Sequence, residues 1–233
     1  MIVCPVCTAQ NEDLAVRCSS CGSYVQDRVP TLDLFATMWL IIESPRTAFR
    51  RIIIAEHKNY VVLLGLFLGI SAVFTLFWAH RFGDEFDNLF PLLLFGTFFG
   101  GLAAVPLVFL WTGMNHLLAK AARGKGSFRE SYGVSGWSLV PVMLAAVFVL
   151  PLELATLGLH LFSANPTAYQ LKPEVTMVLL GLDAAAVAWT LILNAAGISA
   201  AHRIPRIAGV AVSFAAAAVT AAASSMIFTY FTT

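Results

Sequence analysis

Residues 89–119 read LFPLLLFGTFFGGLAAVPLVFLWTGMNHLLA, a run of 31 residues without Asp, Glu, Lys or Arg. A helix needs only about 20 apolar residues to cross the ~30 Å hydrocarbon core of a bilayer. This stretch therefore spans a membrane with length to spare, and Pro91 and Pro106 offer places to kink. Working outward, four more apolar stretches of spanning length lie at 60–80, 135–161, 175–199 and 207–231, with Pro141 and Pro151 inside the third. The whole chain agrees: of 233 residues, 59% are hydrophobic and 12% charged, about half the charged fraction of an ordinary soluble domain. A single soluble globule, a disordered chain and a nucleic-acid binder are excluded as descriptions of the whole. A net charge of +1 also excludes nucleic acid as a bulk electrostatic partner. The fold class is an all-α integral membrane protein with five transmembrane helices.

The basic residues are distributed unevenly. Arg17, Arg28, Arg46, Arg50, Arg51 and Lys58 precede the first span; Lys120, Arg123, Lys125 and Arg129 lie between the second and third; Arg203 and Arg206 lie between the fourth and fifth. All fall on one side, leaving Arg81 and Lys172 for the other. The positive-inside rule then places the amino terminus in the cytoplasm and the carboxyl terminus outside, with a prokaryotic cytoplasmic membrane as the expected location. Tyr60, Trp78, Trp111, Trp137 and Tyr230 fall near expected span ends, where interface aromatics collect.

Before the first span, residues 31–42 carry Leu32, Leu34, Phe35, Met38, Trp39, Ile41 and Ile42 around a narrow polar strip. Twelve residues make a helix of roughly 18 Å, too short to cross. Ser44 and Pro45 restart the chain as an N-cap and first helical residue. The next segment sets Arg46, Arg50 and Arg51 beside Phe49, Ile52, Ile53 and Ile54. Such basic amphipathic patterns lie in the headgroup plane, so residues 29–58 are expected to be a membrane-surface helix pair, with Trp39 and the three arginines at the interface. Packing of the pair on the preceding segment is the alternative.

That segment, residues 1–28, contains all four cysteines, Cys4, Cys7, Cys18 and Cys21, as two CxxC pairs ten residues apart. Two such knuckles supply the four thiolates of a structural zinc site. Gly22 follows the second pair, where a tight turn favours positive φ. The segment is too short for a hydrophobic core, so Zn2+ is expected to supply most of its folding free energy. Disulfides, rubredoxin-like iron and a redox CxxC are the alternatives. A reducing cytosol keeps such thiols free for metal. The amino-terminal residues read as a knuckle, not as a cleavable signal.

Two stretches carry a family resemblance. One is ESPRTAFR at Glu43–Arg50, ahead of the spans; the other is GKGSFRESYGVSGWSLVP from Gly124 to Pro141. With five spans and a cytoplasmic amino terminus, the chain from Leu32 to Phe231 resembles the Yip (Ypt-interacting protein) domain family. The amino-terminal ribbon is similar to prokaryotic members. The chain is expected to divide into three units: a cytoplasmic zinc ribbon (1–28), surface helices (29–58) and a five-span Yip-like domain (59–233). Eukaryotic relatives act in membrane traffic and contact small GTPases and one another. For prokaryotic members the resemblance implies an organiser or transport accessory.

Ionisable groups inside spans are costly and are functional candidates by default. Glu153 and Asp183 lie about eight residues from the outer ends of the third and fourth spans, hence at similar depth, roughly 12 Å in. His160 follows Glu153 on one helical face, and Asp183, Thr190, Asn194 and Gly197 form a stripe. A polar cavity between these spans would bind a cation, a proton or a lipid headgroup; interhelical hydrogen bonding is the plainer use. Asn115 and His116 near Lys120, Arg123 and Lys125 can frame a headgroup or phosphate, or simply meet interfacial water. Gly96, Gly100 and Ala104, and the alanine row 211, 215, 218 and 222, are expected to pack the bundle internally, with homo-oligomerisation as the alternative. The run Arg123-Gly124-Lys125-Gly126 lacks the strand and pattern of a phosphate loop. No catalytic constellation appears, so no enzyme is expected. The leading expectation is a non-catalytic organiser or adaptor bound to membrane lipid and a partner protein, with the ribbon as docking module. The alternative is a lipid or small-ion transporter using the acidic layer.

Overall fold

The computed structural model describes residues 1–26 and 29–232; Arg28, counted above for topology, and the expected ribbon boundary at residue 28 lie outside them. Among the described residues five helices are long and apolar enough to cross a membrane, and the protein is an integral membrane protein. The opening stretch forms one helix, α4 (Leu89–Ala121), with α3 (Val61–Ala79) before it and α9 (Pro173–His202) and α10 (Arg206–Thr232) at the end of the chain. Asn88 caps α4, its Oδ1 accepting from the Phe90 amide at 3.1 Å. Pro91 falls in the first turn, where amides have no helical partner to lose. Of the two expected kink sites in α4, only Pro106 sits in the helix interior.

The third span is broken, and it begins earlier than hydropathy indicates. Ser127 and Glu130 form a capping box at the start of α5 (Phe128–Trp137). Then come α6 (Val140–Leu144), a π-helical turn at Ala145–Val149, and α7 (Leu150–Leu157). The breaks have a common cause: a proline at position i removes a donor and clashes with the carbonyl at i−4. Pro141 points back to Trp137, where α5 ends, and Pro151 to Val147, inside the π turn. Gly158, at φ +57°, ends α7. A short helix, α8 (Ala168–Leu171), leads into α9.

Glycine sets the spacing of α3 and α4. A Cβ at Gly69 would sit 2.2 Å from the Gly100 carbonyl oxygen, and one at Gly96 would sit 2.7 Å from the Phe74 ring. The Gly96–Gly100–Ala104 face is thus packed inside the bundle. The alanine row behaves otherwise: Ala211, Ala215, Ala218 and Ala222 face outward, and α10 buries Val212, Ser213 and Ala216 instead.

One apolar cluster lies at the ribbon end, around Phe49, Leu64, Trp137 and Ile198; a second lies at the other end, around Phe74, Phe77, Leu92 and Phe162. Trp111 and Trp137, expected at interfaces, belong to the first cluster. Trp137 is fully buried against Tyr60, and Trp111 donates to the Ser135 carbonyl at 3.2 Å. Position near a span end does not separate an outward tryptophan from an inward one.

Before the spans lie α1 (Leu34–Glu43), capped by Asp33, and α2 (Pro45–Ile54). They use their apolar residues in opposite ways. In α2, Ala48, Phe49, Ile52 and Ile53 are buried against α5 and α9. In α1, Phe35 and Trp39 are 77% and 67% exposed and share an outward face with Ile42. Lys58 closes α2, donating to the Ile52, Ile53 and Ala55 carbonyls, the last two at 2.8 and 2.9 Å. Burial, with the nearby Arg129 charge, pushes its pKa down to about 8, while the carbonyl end of the helix favours the ammonium form.

Candidate functional site

The ribbon is built from its two knuckles. Strand β1 (Ile2–Val3) pairs antiparallel with β2 (Gln10–Asn11) and closes the first knuckle. Gly22, at φ +74°, turns the second, its amide bonding the Cys18 carbonyl at 3.0 Å. The four Sγ atoms all lie within 4.8 Å of one another, with Cys4–Cys21 at 3.7 Å and Cys7–Cys18 at 3.5 Å. Zinc–sulfur bonds of about 2.3 Å in a tetrahedron give sulfur–sulfur edges of about 3.8 Å, so the donor set fits such an ion. The surrounding donors fit it too. The Val6 and Ser20 amides reach Cys4 and Cys18 at 3.4 Å, Asn11 Nδ2 reaches Cys18 at 3.5 Å, and the Ser23 hydroxyl lies 3.1 Å from Cys4. Ser23, with the Cys7 and Val6 amides, holds the Cys4 thiol down to about 6. Such outer hydrogen bonds favour thiolate and orient metal ligands.

The ribbon rests on the membrane unit. Glu12 pairs with Arg203 at 2.7 Å, Arg50 Nη2 reaches the Asp13 carbonyl at 3.3 Å and Gln26 Oε1 at 3.4 Å, and Leu14 packs on the ribbon-end cluster. Arg46 lines the same cleft. Of the residues expected at a membrane surface, Arg46 and Arg50 thus face the ribbon, Arg51 is exposed, and Trp39 stands out from α1.

The headgroup candidates separate. Lys120, Arg123 and Lys125 are exposed, but His116 turns inward. Its Nδ1 lies 3.0 Å from the Ser131 hydroxyl, which lies 2.7 Å from Nε2 of His202. His202, fully buried, is a residue that sequence reasoning missed. The signal was Gly124-x-Gly126. A Cβ at Gly124 would stand 2.6 Å from His202 Nδ1, and one at Gly126 would stand 2.7 Å from the Ala201 carbonyl oxygen. The Lys125 amide also bonds the His202 carbonyl at 2.9 Å. Those glycines let the loop close on α9.

Asn194 sits at a four-part junction. Its Nδ2 donates to Asn115 Oδ1 at 2.7 Å and Ser213 Oγ at 3.0 Å, and its Oδ1 accepts from Ser138 at 3.3 Å. It ties α9 to α4, α10 and the α5–α6 break. Asn194→Leu should lower stability by about 1–3 kcal/mol, because it leaves buried partners unsatisfied. Thermal unfolding in detergent reads this out, and an unchanged midpoint would show the junction to be energetically idle.

Glu153 and Asp183 come together elsewhere. Both line a cavity of about 280 Å³ between α3, the π turn with α7, and α9. Both carboxyls belong to the wall of this one space. Glu153 is 3% exposed, and its Oε1 has no hydrogen-bond partner. His160 is not there; it lies exposed in the 3₁₀ turn after Gly158. Asn194 and Asp183 share a helix but serve different places.

The Yip1 domain family matches residues 39–228. An uncharacterized protein of Methanocaldococcus jannaschii is 22% identical over 121 residues, 48% of this chain and 84% of that protein. No solved structure matches the chain.

Proposed function

The chain belongs to the Yip1 domain family, and from that premise we propose that it is a non-catalytic adaptor of membrane lipid and protein transport. The ribbon holds structural zinc and serves as the docking module. Four thiolates leave no open coordination position, so the metal shapes the ribbon and does no chemistry. In this reading the ribbon faces the cytoplasm, where 12 of 14 basic residues lie, and the carboxyl terminus lies outside. The unit comprises the ribbon, the α1–α2 pair, with α1 laid in the headgroup layer through Phe35 and Trp39, and the five-span domain.

The single observation that carries this reading is a ribbon fastened to the membrane unit that still exposes apolar side chains. One side is fastened by Glu12, Asp13 and Leu14 to α2 and Arg203. Val3, Val6 and Tyr24 stay exposed, at 58%, 70% and 43%. Apolar side chains held outward on a metal-braced module suit a protein partner. A photo-crosslinking residue at Val6 should therefore capture a second protein in intact cells, whereas one at Leu14, on the fastened side, should give only links within the chain. Identical products from both positions would remove the docking role.

A second reading, lipid or small-ion transport, is favoured by the acid-lined cavity. Under it, Glu153→Gln with Asp183→Asn abolishes flux in reconstituted vesicles without unfolding the protein.

A further inference from the structure

Glu153 and Asp183 present a problem of charge. Two carboxylates that share one cavity in a low-dielectric setting cannot both stay ionised alone. They either keep a proton or hold a cation between them. No basic side chain lines their cavity, and the two carboxyls are its titratable groups among the described residues. Glu153, a wall residue of this cavity, is thus a buried acid whose Oε1 has no hydrogen-bond partner. The π turn at Ala145–Val149 opens onto the same space through Ala145 and Ala146, and π turns recur at functional sites.

The shape of the space selects the ligand. About 280 Å³ is far more than one water or a bare ion fills, since a single water occupies roughly 10–15 Å³ on this measure. The oxygens are few. Beyond the two carboxyls, the walls offer Ser71 and Thr75, and the Thr75 hydroxyl already donates to the Ser71 carbonyl at 2.7 Å. A calcium ion draws its oxygens in to about 2.3–2.6 Å and would leave most of this volume empty. A primary ammonium has three donors and no acceptor, a count that Glu153, Asp183 and Ser71 can meet. The remaining wall is apolar and aromatic, with Phe74, Trp78 and Phe162 among its residues. Aromatic faces attract organic cations, and an apolar wall suits the carbon chain that would follow the ammonium.

We propose that the Glu153–Asp183 cavity binds the primary ammonium group of an amphiphile, taken up in exchange for a proton. The inference stands apart from the adaptor reading and deepens the transport reading by naming its ligand. On binding, the ammonium donates to both carboxylates, and the proton held by the pair leaves to water. No covalent bond changes. The ammonium comes from a lipid headgroup or from a free amine, and the chemistry at the two carboxyls is the same.

Infrared difference spectroscopy of the full chain in nanodiscs tests this, because it reads protonated carboxyls directly and needs no transport. In discs of phosphatidylcholine, octylammonium should bleach the protonated-carboxyl band saturably, while sodium at equal concentration should not. Including phosphatidylethanolamine should bleach it without added amine if the headgroup is the source. Glu153→Gln should weaken the octylammonium response by about tenfold or more, since a charge-assisted bond is lost. Thermal unfolding of that variant checks that it remains folded. A band indifferent to both amines, or one bleached equally by sodium, overturns the proposal. Bleaching without any flux would sink the transport reading and leave this binding site standing.

Discussion

Cys4→Ser should strip the metal from the protein and unfold the ribbon while leaving the five spans in place. The reason is size. Residues 1–26 contain two short strands and the knuckle turns, and a segment below about 40 residues does not bury enough surface to fold by itself. A structural zinc site supplies about 10–16 kcal/mol to such a fold, and a serine hydroxyl is a poor substitute for a thiolate ligand. Cys4 is also the sulfur approached by Ser23 and the Val6 amide, so its loss undoes the outer hydrogen bonds as well. Metal analysis should find the variant zinc-free, and limited proteolysis should cut within the ribbon while the membrane domain resists. Full zinc content with unchanged protease resistance would mean that the cysteines do not build this module. The α2–ribbon cleft would loosen too, since Arg50 and Arg203 would lose their partners there.

Gly69→Val should destabilise the bundle itself. Even the first carbon of a side chain at this position would lie 2.2 Å from the Gly100 carbonyl oxygen and 2.8 Å from the Ala104 Cα. Both are backbone atoms, and they yield only if α3 and α4 separate. Overpacking in a well-packed interior costs about 1–3 kcal/mol and occasionally more, and a backbone contact has no flexible side chain to move aside. Gly101→Ala is the matched control, because its nearest neighbour would be Leu66 Cδ1 at 3.9 Å. Unfolding in detergent should separate the two clearly. Equal stability would contradict the close approach of α3 and α4. A change in oligomeric state without loss of stability would mean that this glycine face joins two chains.

What the sequence reveals here depends on how local the governing physics is. The spans are legible because a bilayer acts on composition over about 20 residues, and the Cys4–Cys21 cluster because both knuckles close through short-range turns. The break in the third span is partly legible: Pro141 and Pro151 announce it, but the π turn that absorbs the second break is a matter of packing. Facing is the information that is missing. Trp111 and Trp137 look like interface anchors, yet Trp111 turns inward from α4, and α5, which begins at Phe128, carries Trp137 into the same ribbon-end cluster. The α1 and α2 segments both read as surface helices, yet one shows Trp39 outward and the other buries Phe49. His202 gave no signal of its own, since only the missing side chains at Gly124 and Gly126 mark where it packs. Glu153 and Asp183 share a cavity because two helices joined by a hairpin meet at equal depth, a long-range relation that counting residues can express.

The most direct test of the account is native mass spectrometry of the chain released gently with its surrounding membrane. The chain should carry one zinc ion and a stoichiometric second protein, with that protein lost from the Cys4→Ser variant. A zinc-free chain, or a zinc-loaded one that never holds a partner, would contradict it.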